Sequence, residues 1–375
     1  MQFIDLKAQY EALRGEIDAN IAAVLAHGKY IMGPEVAELE KALCDYTGSK
    51  HCITCANGTD ALQLALMALG IKEGDAVFVP SFTFMSTAEA VSVVGATPIF
   101  VDIDENTFNI DCADLEEKIG QVVREGKLSP KAVIPVDLFG QCADYTKLLP
   151  IAEKNGLFVI EDAAQGFGGS IGERRACTFG HISTTSFFPA KPLGCYGDGG
   201  AMFTDDDALA ELLRSLRIHG KGREKYDNVR IGLNSRLDTL QAAVLLPKLR
   251  AFDESELESR NALAAMYTEA LGDIVRTPFV PDGFVSSWAQ YTIVLESAEM
   301  RDALKEHLAQ SGIPSMVYYP KPLHLQQAFA NAAEGVSLPV SESTCERVLS
   351  LPMHPYMSSE DAQKIICAVR GFIIR

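Results

Sequence analysis

Short apolar runs alternate with stretches in which apolar residues recur every three or four positions, and this alternation fills the chain from about residue 51 to 250. The runs at 52–56, 76–79, 99–103, 131–136, 157–160, 182–188 and 201–204 read as strands, many of them bounded by Gly, Pro or Asp. Between them, 59–69, 86–94, 113–123, 148–155 and 205–217 carry helical periodicity. Strand and helix in alternation imply an α/β fold, with a mostly parallel sheet covered on both faces and ligands bound at the carboxyl ends of its strands. Two longer helical patterns come next, at 236–252 and 255–271, and then the character changes: an apolar run at 288–295, a helix near 298–310 and a strand near 313–317. The expected organisation is a large domain over 1–250, with an N-terminal arm, and a smaller α+β domain over 251–375.

Composition narrows the classes. Of 375 residues, 47% are hydrophobic and 22% charged, the balance of a globular chain with sizeable cores. A net charge of −17 excludes a surface that wraps nucleic acid or lies on anionic lipid, so an anionic ligand needs a local basic pocket. The longest mostly apolar run, 90–101, is interrupted by Ser92, Gly95, Thr97 and Pro98 and falls well short of the ~20 residues of a membrane span. No secretory pattern opens the chain, which points to the cytoplasm. Nine cysteines at scattered spacing fit reduced thiols. Cys52 and Cys55 form a Cys-x-x-Cys, but inside a strand and without a second pair, and the seven histidines show no ligand cluster, so no metal is expected.

The candidate chemistry lies at strand ends. Lys191 stands in Pro189-Ala-Lys-Pro192, after the aromatic strand and before a glycine-rich turn, unlike a lysine on a solvated helix face. Glu161 and Asp162 close the run Phe158-Val-Ile-Glu-Asp162. They serve either as caps for the next helix or as a displayed carboxylate, and alternation along the strand sends the two side chains to opposite faces. A lysine and a carboxylate so placed are what a pyridoxal phosphate enzyme requires. The amine forms a Schiff base with the cofactor aldehyde, and the carboxylate, here Asp162, keeps the pyridine nitrogen protonated. Asn57-Gly-Thr-Asp60 joins a strand to a helix, where free amides and the Thr59 hydroxyl hold a phosphate or simply cap the helix. Ser186 offers a second hydroxyl, and Phe84 either stacks on a ring or, like Phe82, belongs to the core.

Taken together, Gly28 to Glu35, Asn57 to Asp60, Pro80 to Phe84, Ile160 to Gln165, Ser186 to Gly200, Gly232 to Asp238 and Tyr319 to His324 resemble the motifs of the DegT/DnrJ/EryC1/StrS sugar aminotransferases, in order and over nearly the whole chain. The resemblance implies a fold type I pyridoxal phosphate transferase, aspartate aminotransferase-like, with a large sheet of the seven-stranded kind and a smaller C-terminal domain. It further implies a homodimer with active sites shared between subunits. Lys191 would be the Schiff-base lysine, Asp162 the pyridine partner and Gln165 a contact to the ring hydroxyl side. Gly58, Thr59 and Ser186 would hold the phosphate, with Phe84 on the ring. Asn234 would reach the phosphate from the other subunit, and Arg236 would face the substrate across the same boundary.

The resemblance is nearest to members that aminate the 3-keto group of a UDP-linked 2-acetamido-hexuronic acid for cell-surface polysaccharide such as O-antigen, with glutamate as donor and 2-oxoglutarate as product. Arg236 suits a sugar carboxylate. Tyr318, Tyr319 and His324 fall in the implied substrate region; relatives of that kind carry histidine before the matching tyrosine, where Tyr318 stands here. Arg217, His219, Lys221 and Arg223 are either diphosphate contacts or ordinary solvated and capping residues. Other readings are a 4-keto-6-deoxy sugar as substrate, a pyridoxal phosphate dehydratase, against which Lys191 itself argues because such relatives carry histidine there, and a non-catalytic regulatory protein that binds the cofactor.

Overall fold

The computed structural model describes residues 1–224 and 226–374. Two helices open the chain, α1 (Leu6–His27) and α2 (Pro34–Thr47). The alternating region comes next: β1 (His51–Cys55), α3 (Gly58–Ala68), β2 (Asp75–Pro80), α4 (Ser86–Val93), β3 (Thr97–Val101), α5 (Cys112–Glu125), β4 (Ser129–Val133), α6 (Tyr145–Lys154) and β5 (Phe158–Asp162). A small hairpin, β6 (Ser170–Ile171) and β7 (Arg174–Arg175), precedes β8 (Ile182–Ser186), β9 (Gly200–Thr204) and α7 (Asp207–Leu216).

The main sheet has seven strands in the order β1-β9-β8-β5-β4-β2-β3. Neighbours pair in parallel except around β9, which runs antiparallel to both β1 and β8. Burial on both faces explains the continuous apolar runs. In β5, Val159 joins one core with Leu39 of α2, Leu115 of α5 and Leu148 of α6. Ile160, next along the strand, joins the opposite core with Leu62 of α3, Val91 of α4 and Leu213 of α7. All seven expected strands are present, with bounds shifted by a few residues.

Beyond the sheet, α8 (Thr239–Ala251) passes through a π-helical turn at Phe252–Glu256 directly into α9 (Leu257–Leu271). The expected division after residue 250 falls within this rod. The remaining elements are β10 (Phe284–Val285), paired with β6, then β11 (Tyr291–Val294), α10 (Ala298–Gln310), α11 (Pro339–Arg347), β12 (Val348–Leu351) and α12 (Ser359–Ile373). Tyr267, Tyr291, Leu304, Leu349 and Ile365 centre a separate core, in which α9, α10 and α12 close on the β11–β12 pair. The strand expected at 313–317 is reduced to a single bridge from Met316 to Ser350. Pro314 lacks the donor that a longer ladder needs. Among the described residues no helix is long and apolar enough to cross a membrane.

Candidate active site

The carboxyl ends of β1, β2, β5 and β8 lie on one side of the sheet, and the candidate residues gather there. After β1, Asn57 caps α3, its Oδ1 accepting from Asp60 N at 2.8 Å. The amides of Gly58 and Thr59 therefore head a helix whose first turn has no preceding carbonyl to receive them. Gly58 is held against β8 so closely that a Cβ would stand 2.7 Å from Ser186 Cβ. Thr59 Oγ1 bonds Ser86 Oγ at 2.8 Å. Ser186 Oγ accepts from Phe188 N at 3.2 Å, which leaves its own proton to donate outward.

Asp162 ends β5 in a buried position, with Oδ2 accepting from Thr87 Oγ1 and Oδ1 from Ala164 N, each at 3.2 Å. Glu161 turns to the other face, as strand alternation requires, and accepts from Cys177 N, Phe179 N and Ser183 Oγ at 2.6–2.7 Å. Burial pushes the Asp162 carboxyl up, while Lys191, the Ala164 amide and the Thr87 hydroxyl oppose it. Lys191 shows the reciprocal effect. Desolvation lowers its pKa and the Asp162 charge raises it, so the amine loses its proton more readily than a surface lysine does.

Gln165 is buried, with each of its polar atoms engaged. Its Oε1 accepts from Phe139 N at 2.7 Å and its Nε2 donates to Tyr319 Oη at 2.9 Å. Phe82 is core, packed on Phe108, Phe139 and Tyr319, whereas Phe84 is 55% exposed at the open side, 6.4 Å between ring centroids from Tyr319. The half-buried Tyr318 rests edge-on against Phe3 at 6.2 Å.

One expectation is corrected, and one open alternative is closed. His324 is buried, with Nδ1 on Ser81 Oγ at 2.6 Å and Nε2 on Glu342 at 3.1 Å; both ring nitrogens are used within the fold, so it supports the β2 end and offers nothing to a sugar. Arg217 is also buried, paired with Glu40 at 2.6 Å and donating to Thr54 O at 2.7 Å, which removes it from any diphosphate. His219, Lys221 and Arg223 are exposed on the segment after α7. Further along, Ser235 Oγ accepts from Ala56 N at 3.0 Å, which docks the segment beside the head of α3. Asn234 is exposed there, its Oδ1 accepting from Arg236 Nη2 at 2.6 Å. Sequence reasoning missed Thr87 and Ser86, whose small hydroxyls carry no signal until α4 is packed against the site.

These residues fit pyridoxal phosphate: a glycine whose missing Cβ leaves room beside two hydroxyls, a buried carboxylate in want of a cation, and an amine close enough to feel it. Residues 11–370 match the DegT/DnrJ/EryC1/StrS aminotransferase family. The chain belongs to that family. The chain is 49% identical over 369 residues, 98% of its length and 99% of the relative's, to UDP-2-acetamido-2-deoxy-3-oxo-D-glucuronate aminotransferase of Pseudomonas aeruginosa. It is 43% identical over 98% of its length and 97% of the relative's to a pleiotropic regulatory protein of Geobacillus stearothermophilus. The crystal structure of a DegT DnrJ EryC1 StrS aminotransferase from Brucella abortus superposes with a TM-score of 0.97, at 56% identity and with all of both chains covered. NtdA from Bacillus subtilis, solved with bound cofactor PMP, superposes at 0.91 with 29% identity, covering 100% of this chain and 85% of that one. The protein is an aminotransferase of fold type I, and its cofactor is pyridoxal phosphate.

Proposed function

We propose that this aminotransferase moves an amino group from glutamate to the keto group of a nucleotide-linked sugar, with the 3-keto group of a UDP-linked 2-acetamido-hexuronic acid as its substrate, in a homodimer with shared sites. The observation that carries the chemistry is Lys191 set against buried Asp162 beside the Gly58–Ser186 contact. The near-complete coverage of the Pseudomonas enzyme, whose name states that sugar, supports the substrate.

The Gly58 and Thr59 amides and the Thr59 and Ser186 hydroxyls would hold the cofactor phosphate, with Phe84 against the ring and Asp162 at the pyridine nitrogen. Bound there, pyridoxal phosphate supplies an electron sink for the carbon that carries the amine. Asp162 contributes a fixed negative charge, and its approach to a cation offsets the cost of its burial. Lys191, its pKa lowered by desolvation, would bond the cofactor aldehyde as a neutral amine and, when free of it, would carry the proton that the amine transfer moves. Arg236, half-buried beside exposed Asn234, would meet the sugar carboxylate across the subunit boundary.

The test combines a spectrum and a screen. Protein purified with pyridoxal phosphate should absorb in the visible range and bleach with glutamate, and Lys191→Ala should lose both responses. The same spectrum and response in Lys191→Ala would sink the lysine assignment. The bleached protein, offered keto nucleotide sugars and read by mass spectrometry, should aminate the UDP-hexuronic acid ketone. Activity confined to a 4-keto-6-deoxy sugar would replace that substrate, and cofactor binding with no amine transfer to any ketone would favour a regulator, in line with the Geobacillus relative.

A further inference from the structure

The loop carrying Lys191 is gripped from behind by two side chains seven residues apart on one face of α8, at i and i+7. Gln241 takes both polar groups of one residue: its Oε1 accepts from Tyr196 N at 2.8 Å and its Nε2 donates to Tyr196 O at 3.3 Å. Two turns later the Lys248 ammonium donates to the Gly194 carbonyl and stands 4.9 Å from the centre of the Tyr196 ring. Lys248 is only 1% exposed. A buried ammonium is costly unless its donors are committed, and methionine or leucine would fill such a site at less expense. Helix packing alone therefore does not account for it.

The loop that these residues hold is tightly closed. Cys195 N donates to Phe187 O at 2.8 Å and Lys191 N to Phe188 O at 2.9 Å. A Cβ on Gly194 would lie 2.5 Å from Pro189 O. Residues 187–195 thus form a small ring that includes Lys191 and is held to α8 at Gly194 and at the adjoining Tyr196. The helix itself is anchored independently, against α1 and α2. Burial brings Lys248 down to about 8, opposed by the charge on buried Glu256 and by Cys195 and assisted by Arg260. Glu256 is in turn held by Gln9 Nε2 at 2.9 Å and Tyr356 Oη at 2.7 Å.

We propose that Gln241 and Lys248 are positioning residues for Lys191, holding the turn at 194–196 on α8 so that the amine emerges facing Asp162. The proposal rests on Lys191 as the residue that bonds the cofactor. Neither side chain touches the reacting atoms; both act through the ring of residues 187–195.

The variants Lys248→Met and Gln241→Leu test it in the full-length protein. After circular dichroism and thermal melting have established that each is folded, pyridoxal phosphate is added to the cofactor-free form and the visible band followed. In each variant the band should form about tenfold more slowly, and the pH at which it titrates should move, because the amine no longer starts in line. With glutamate and the sugar, kcat should fall by a similar factor while KM for the sugar stays put. Lys248→Gln, which keeps an N–H donor for Gly194, should recover part of the rate. A purely structural role predicts a lower melting temperature with band formation, titration and kcat unchanged, and that result overturns the proposal. If Lys248→Met does not fold, Gln241→Leu decides alone. Lys191→Ala separates the two ideas: a band that survives there defeats the lysine assignment, whereas an absent band there with unchanged clamp variants defeats only the clamp.

Discussion

Gly58 sets how close the head of α3 can come to β8. A methyl at that position would stand 2.7 Å from Ser186 Cβ and 3.2 Å from its Oγ, so either the helix start or Ser186 must move. Gly58→Ala should therefore weaken pyridoxal phosphate binding by about tenfold or more in a fluorescence titration, because the two groups proposed to hold the phosphate are displaced at once. The places of Lys191 and Asp162, after β8 and at the end of β5, were legible in the sequence because strand alternation and the proline flanks are local signals. His324 and Arg217 were not, because what disqualifies them comes from Ser81, Glu342, Glu40 and Thr54, partners brought near only by the fold.

At the end of β5, two buried carboxylates stand behind the site. Asp137 Oδ1 accepts from Ala143 N and Tyr145 Oη at 2.9 Å, while its Oδ2 receives nothing and lies beside Glu161. A proton on Asp137 resolves this, giving Oδ2 an O–H to donate to the Glu161 anion. Burial and the Glu161 charge both push the Asp137 pKa well up. The native state then keeps a proton that the unfolded chain releases near pH 4, so this group's contribution makes stability fall as pH rises above that point. Asp137→Asn supplies the same donor without titrating. Its melting temperature relative to the parent should therefore rise from about pH 5 to about pH 8, and a constant difference would show that Asp137 is ionised. Element by element, the α/β alternation was readable, since buried parallel strands leave unbroken apolar runs. The first two helices were not anticipated: α1 buries only Gln9, Ile17 and Val24, a stripe too thin to mark a period.

Across the whole molecule, the segment that carries Asn234 and Arg236 leaves Asn234 exposed although it docks at Ala56, which suits a site completed by a second copy. Co-expressed Lys191→Ala and Arg236→Ala chains test this. If sites are shared, half of the dimers are mixed and each holds one intact site, so activity should return to about a quarter of the parent's. If each chain builds its own site, the mixture stays as inactive as its parts.

The antiparallel strand β9 carries one more consequence. Because β8 and β9 are hydrogen-bonded neighbours, with Ser186 opposite Gly200 and Phe187 N donating to Gly199 O at 2.7 Å, both feet of the Lys191 loop stand on the same stretch of sheet. The amine's travel is then an arc swept by the torsions of one side chain on a fixed stem. On such a mount the terminal group, amine or imidazole, can be exchanged over evolutionary time and the reaction redirected, while the strands that support it keep their places.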